Sequence, residues 1–317
     1  MINSVFNENI KNTLILKILC NLIYLGRRLV MRVEADCIPC YLKQGISTLR
    51  IAGIPDREIS KIINSVLGIV GELSLDGIPG YNSTIVLKKI YDIIGIADPY
   101  KEAKIKWNKY ALGQYGLFRK LVEESEDRLH KAFKIAVAGN IIDMGITPDF
   151  DVDLAMNEIT DREFDLDDYT ELRTMLDGAK NIMIIGDNSG EIVFDMVLVE
   201  EFKRLGLNVV YSVKGGPMLN DSTMEDAEQV GLTSICEVVD TGNDLLGVVF
   251  EKSSPKFIEA FEKADIIISK GQANFESLEG DKRAGDKTFF VLRAKCPLVA
   301  KCLGVNFGDI VLKRNRS

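Results

Sequence analysis

After Lys180 the chain changes texture, and this change constrains the fold more than any other feature. Short apolar runs, many of their residues β-branched, cover Ile182–Ile185, Val209–Val213, Ile235–Val239, Ile266–Ser269 and Phe289–Leu292. Segments of helical periodicity separate them, at lengths that suit crossover helices. Strands alternating with helices form a mostly parallel sheet covered on both faces, so the pattern predicts a three-layer α/β/α sandwich.

Upstream the reading is helical from Asp36 to about Gly145. "CIPCYLKQGISTLRIAG", "PDREISKIINSVLGIVGEL", "NSTIVLKKIYDIIG", "PYKEAKIKWNKYALG", "QYGLFRKLVEESED" and "RLHKAFKIAVAGNIIDMG" each keep apolar residues at helical spacing, and no strand is expected before residue 180. Residues 146–180 are acidic and mixed, a connector with one or two helices. The expected organisation is therefore an all-helical N-terminal cap domain over 31–150 and an α/β metal- and phosphate-binding domain over 151–317. Residues 1–30 stand apart. Their apolar stretch of about 12 residues, broken by Lys17, is short for a membrane span and lacks the basic flank of a signal peptide. With "MRVEADCIPC" reading like a fresh start, they are expected to be a peripheral extension or a stretch ahead of a true start at Met31, with a membrane anchor as the alternative.

Composition narrows the chemistry. A net charge of −8 over 317 residues argues against nucleic acid or an anionic membrane as a stable partner, while a small anionic substrate remains compatible. His130 is the one histidine and sits in a charged helical pattern, "EESEDRLHKAFK", where a solvated or half-buried role is expected. Triads and multi-histidine zinc sites would all depend on that residue, so catalysis is expected to run on carboxylates, amides, lysines or a metal. Cys20, Cys37, Cys40, Cys236, Cys296 and Cys302 are expected to be reduced thiols in a cytoplasm. Buried structural thiols, a metal or redox role for Cys37-x-x-Cys40 with Cys296 and Cys302, and disulfides all stay open.

Open parallel sheets bind ligands beyond the carboxyl ends of their strands. Four such ends carry polar side chains beside glycine: Asp187-Asn188-Ser189-Gly190-Glu191, Lys214-Gly-Gly through Asn220-Asp221, Asp240-Thr-Gly-Asn243, and Lys270-Gly-Gln272 through Asn274 and Glu276. Asp187, Asn188 and Asp221 supply hard oxygen ligands, which without nearby His or Cys favour Mg²⁺ or Mn²⁺ over zinc. Gly190 permits a tight turn and opens a helix whose free amides point at an anion. Lys270 and Lys214 can face a phosphate as point charges. Singly, these acids are ordinary helix caps and Lys270 an ordinary surface lysine; the functional reading rests on four loops agreeing. Neither the dinucleotide fingerprint nor a Walker A loop is present, and "DNS" is not the Asp-x-Asp of phosphoaspartate phosphatases. In "AFKIAVAGNIIDMG", Asn140 and Asp143 share one helix face, buried and paired or lining a pocket.

"ADCIPC", "AGNIIDMG", "IGDNSGEIVFD", "VKGGPMLNDSTMEDA" and "SKGQANFESL" resemble the damage-control phosphatase family, or domain of unknown function 89, in its short stand-alone prokaryotic branch with an N-terminal Cys-x-x-Cys. The resemblance runs from about Met31 to the C-terminus. It implies a helical N-terminal part with a central α/β/α sandwich, and metal-dependent hydrolysis of small phosphometabolites such as sugar phosphates and phosphopantetheine-like compounds. It also implies Asp187, Asn188 and Asp221 as metal ligands for Mn²⁺ or Mg²⁺, with Co²⁺ or Ni²⁺ as substitutes. Asn140 and Asp143 would line the site and Lys270 would contact phosphate. On this reading Asp143 or Glu191 orients the attacking water and Lys270 stabilises the transition state. Substrate contacts come from Asn140, Ser189, Gly190, Lys214 and Asn274, with the amides near Ser189 and Gly190 facing the phosphate. The alternatives are a methyl-donor-dependent carboxyl methyltransferase and a non-enzymatic metal- or phosphate-binding protein. Oligomeric state is left open.

Overall fold

The computed structural model describes residues 31–141 and 162–316. Five helices come first: α1 Cys37–Ile51, α2 Asp56–Glu72, α3 Pro79–Ile94, α4 Lys101–Glu123 and α5 Arg128–Ile141. The C-terminal half alternates β1 Leu166–Asp167, α6 Tyr169–Leu176, β2 Asn181–Ile185, α7 Glu191–Arg204, β3 Asn208–Val213, α8 Met224–Val230, β4 Glu237–Asp240, α9 Pro255–Lys263, β5 Ile266–Lys270, α10 Gln272–Leu278, β6 Thr288–Arg293, α11 Pro297–Leu303 and β7 Ile310–Arg314.

The strands form one sheet in the order β1-β7-β6-β5-β2-β3-β4, parallel throughout except for β6 against β7. Side chains alternate across it. Ile182 and Ile184 enter the core on one face, with Phe118, Phe133 and Phe202 of α4, α5 and α7. Met183 and Ile185 enter the core on the other, with Leu49, Val66 and Leu87 of α1, α2 and α3. The expected sandwich is therefore present, and the N-terminal helices divide between its two faces. No helix among the described residues is long and apolar enough to cross a membrane.

Three details differ from the sequence reading. The helical pattern that breaks near Gly113 is one 23-residue helix, α4, running through Gly113 and Gly116. A mid-helix glycine costs about 1 kcal/mol, and burial of Ala111, Phe118 and Val122 outweighs it. The third expected strand starts at Glu237 rather than Ile235, because Leu232–Ser234 tightens into a 3₁₀ turn and Ile235 N–H bonds back to Leu232. Two strands, the edge strand β1 and its neighbour β7, escape the pattern: β1 has two residues, and the apolar part of β7 ends at Leu312.

Strand β2 pairs with β3 on one side and β5 on the other, so the chain order reverses there. Successive connections leave β2 and β5 in opposite directions, and a crevice opens beyond their carboxyl ends. Asp187 follows β2 and Gly271 follows β5 at this crevice.

Candidate functional site

The loops after β2 and β3 are zipped together by backbone. Asn188 and Asp221 form an antiparallel bridge. Ser189 N–H donates to Asn220 O at 2.8 Å, and Ser222 N–H donates to Asp187 O at 2.9 Å. The turn that delivers Asp221 includes Leu219 at φ 49, the one left-handed non-glycine among the described residues. Its N–H is held by Tyr91 Oη at 2.9 Å. Backbone of this kind is sparsely populated and persists where its surroundings over-determine it. The sequence thus places two carboxylates 34 positions apart on neighbouring, mutually bonded loops.

These acids repel. Burial, with like charge from Glu191 and Asp221, pushes the Asp187 carboxyl well above its ordinary range; Lys295 and Lys270 offset this in part. Burial likewise raises Asp221 to about 6, against the pull of Lys214 and Lys104. Asn188 Nδ2 donates to Asp187 Oδ2 at 2.9 Å and to Glu191 Oε2 at 3.3 Å, which leaves Oδ1 as the amide's free donor atom toward a cation. Among the described residues no three His, Cys, Asp or Glu side chains group closely enough to hold a metal. Two acidic oxygens and an amide oxygen suit a hard divalent cation.

The other candidate residues stand differently from the sequence reading. Lys270 is fully buried, not at the surface. Its Nζ donates to Asp195 Oδ1 at 2.6 Å, Glu191 Oε1 at 2.7 Å and Ala136 O at 3.0 Å, which uses all three of its protons. Burial opposes its charge, but Asp195 and Glu191 outweigh burial and hold the ammonium above its ordinary pKa. Lys270 thus holds the start of α7 in place from below and does not face a phosphate. Glu191 is likewise buried between Lys270 and Asn188. Lys214 donates to Gly247 O at 2.7 Å and lies 3.8 Å from Asp221 Oδ2, so its charge offsets the Asp221 carboxylate. The amides of Ser189 and Gly190 are also committed, to Asn220 O and to Asn108 Oδ1. Asn274 donates to Gly186 O at 3.0 Å and Lys270 O at 2.8 Å, tying the ends of β2 and β5. The side chain of Asn140 and the whole of Asp143 lie outside the described residues.

Asp195 is the acid the sequence reading missed. Burial raises its carboxyl to about 6 against the pull of Lys270, and Tyr211 Oη donates to it at 2.7 Å. The signal was available: Asp195 lies four residues after Glu191 in an otherwise apolar helical run, so the two acids share a face.

A cavity of about 440 Å³ opens over Asp187, Asn188 and Asp221. Its far walls come from α1, α3, α10 and the start of α11, including Tyr41, Gly80, Glu276 and Lys295. Lys295 was not foreseen. Its backbone N–H donates to Gln272 Oε1 at 2.6 Å, which fixes the β6–α11 turn, and its charge acts directly on Asp187. No partner for its ammonium occurs among the described residues. Burial raises Glu276 to about 7, with Gly80 N–H donating to it at 2.9 Å. Cys37, Cys40 and Cys296 also line this cavity. All described cysteines are free, and burial holds the Cys37 and Cys40 thiols above their ordinary pKa, hence protonated. His130 lies away from the cavity, 3.3 Å from Asp167 Oδ2.

Fold and site together define an α/β protein with acidic and amide oxygens gathered over a cavity at a topological switch point. The damage-control phosphatase ARMT1-like domain matches residues 33–311, and the chain belongs to that family. It is 33% identical over 292 residues to a Methanocaldococcus jannaschii protein described as uncharacterized, covering 90% of this chain and 96% of the relative. It is 33% identical over 295 residues to a Pyrococcus horikoshii damage-control phosphatase, covering 90% of this chain and 99% of the relative. The crystal structure of a DUF89 family protein from Pyrococcus horikoshii superposes with a TM-score of 0.83 at 31% identity, covering 90% of this chain and all of that one.

Proposed function

We propose that the protein is a metal-dependent phosphatase acting on small phosphometabolites, sugar phosphates or phosphopantetheine-like compounds, in a damage-control role in the cytoplasm. The observation that carries this reading is the meeting of Asp187, Asn188, Asp221 and Lys295 on one cavity, in a chain whose relative from Pyrococcus horikoshii is a damage-control phosphatase. Asp187, Asn188 and Asp221 would hold Mn²⁺ or Mg²⁺, with Co²⁺ or Ni²⁺ as substitutes. A bound ion of this kind supplies Lewis-acid polarisation of a phosphoryl oxygen.

The chain's own residues do the rest. Lys295 binds the phosphate as a point charge from the wall opposite the β2 loop and neutralises charge that builds on it. Asn188 is oriented by the carboxylates that accept its amide protons. Lys214 and the Lys270–Glu191–Asp195 cluster hold the ligand loops without touching substrate. The wall built by Tyr41, Gly80 and Glu276 faces the leaving group and selects it.

A phosphate-release assay over a panel of phosphometabolites, with EDTA and with added Mn²⁺, tests this. Release that EDTA abolishes and Mn²⁺ restores supports the reading. EDTA-resistant release, or turnover of a methyl donor without phosphate release, overturns it. Full activity in folded Asp187→Ala and Asp221→Ala variants removes the ligand assignment.

A further inference from the structure

Asn108 lies in α4, far from the ligands in sequence, and is completely buried. Its Oδ1 accepts the Gly190 N–H at 2.7 Å. Its Nδ2 donates to Asp226 Oδ1 at 2.8 Å and to Gln229 Oε1 at 2.9 Å. Gly190 is two residues beyond the ligand Asn188. Asp226 closes the capping box of α8: its Oδ2 accepts Thr223 N–H and Thr223 Oγ–H, each at 2.8 Å. Thr223 is two residues beyond the ligand Asp221. One carboxamide therefore reaches the chain behind both ligand-bearing loops. The neighbouring Trp107 packs on the same turn, where a Cβ on Gly190 would stand 3.3 Å from Trp107 Cβ. Lys104, one helical turn earlier, adds ion pairs to Asp226 at 3.4 Å and Asp98 at 3.0 Å.

We infer that Asn108 is a positioning residue: its amide cross-links the Asp187–Gly190 loop to the Asp221–Thr223 loop and sets the spacing of the metal donors. This rests on the metal-site reading above. The position needs an acceptor on one side and a donor on the other, in a fully buried space. Asparagine meets both demands; aspartate cannot donate, and a hydrophobic residue leaves Gly190 N–H without its acceptor. The bond also explains why the amides at this helix start do not face substrate: the one at Gly190 is spent on holding the loop.

The test measures Mn²⁺ binding to the full chain, with Mn²⁺ alone as the probe, by electron paramagnetic resonance, alongside the melting temperature. Asn108→Asp keeps the acceptor for Gly190 but faces Asp226 with like charge. It is expected to weaken Mn²⁺ binding at least tenfold. The swap variant Asn108→Asp with Asp226→Asn restores a donor–acceptor pair at unchanged net charge, since the new amide donates to residue 108 and its oxygen still accepts from Thr223. It is expected to return the Mn²⁺ dissociation constant to within threefold of wild type. A folded single variant with wild-type Mn²⁺ affinity, whatever its melting temperature, overturns the inference. If the single variant does not fold, the swap decides: recovery within threefold supports the inference, and a folded swap with tenfold weaker binding overturns it. If wild type itself binds no Mn²⁺, the metal-site reading fails and this inference falls with it; if wild type binds and only the variants' behaviour disagrees, that reading stands.

Discussion

Asp187 occupies the space that a side chain at residue 271 would need: a Cβ built on Gly271 would stand 2.0 Å from Asp187 Oδ2 and 2.2 Å from Asp187 Cγ. The glycine also has φ +78, a left-handed conformation that L side chains rarely adopt. The end of β5 is thus hollowed to receive a carboxylate from the end of β2.

Gly271→Ala is therefore expected to displace the Asp187 carboxylate. Overpacking of this kind costs about 1–3 kcal/mol, so denaturant unfolding should show a loss in that range. Mn²⁺ binding should weaken at least tenfold, because the displaced atom is itself a proposed donor. An alanine variant with unchanged Mn²⁺ affinity would show that the carboxylate is not a ligand in this position.

Lys270→Met removes the cation that compensates Asp195 and Glu191. Breaking a buried ion pair from one side costs roughly 3–5 kcal/mol. The loss should be greater at pH 8 than at pH 5. Asp195 already has its carboxyl raised to about 6 with the lysine present. Without it the neutral acid is favoured further, so the deficit shrinks as falling pH protonates Asp195 in the folded state. Chemical unfolding at the two pH values checks the sign.

Lys295→Ala is expected to leave stability within about 0.5 kcal/mol, since the ammonium has no partner among the described residues. A charge-assisted bond to phosphate contributes about 1.5–3 kcal/mol, so KM for a phosphate ester should rise tenfold or more. Steady-state kinetics on whichever phosphometabolite the panel identifies, with a thermal melt as control, separates the two effects.

Glu276 carries a pH signature of its own. Burial raises its carboxyl to about 7 from an ordinary 4.5. A folded-state pKa above the unfolded value means that its contribution is fully present below about pH 4.5 and is lost as pH rises toward 7. Glu276→Gln should thus stabilise the protein at pH 8 by roughly 3 kcal/mol and change little at pH 4. Gly80 N–H still has a carbonyl to donate to in that variant. Equal effects at both pH values would show that the carboxylate is not strained by ionisation.

The parallel sheet was legible because period and turn chemistry are local properties: β-branched runs bounded by glycine, aspartate and asparagine read as strands wherever they pack. The same locality made Asp187, Asn188 and Asp221 visible, since strand ends of a parallel sheet share an edge. Asp195 was within reach, one helical turn after Glu191. The roles of the lysines were not. Lys270 ends β5 and Lys295 follows the neighbouring β6, and each can be written as a phosphate contact. Only the packing of α5 and α7 over the end of β5 buries Lys270 against two acids, while the β6–α11 turn leaves Lys295 on the cavity. Asn108 lay beyond any local reading, in a helix rich in lysine where an asparagine looks solvated. Periodicity reports which face of an element is apolar. Which polar groups become buried partners depends on contacts between residues as distant as Asn108 and Asp226, and those exist only once the layers have closed.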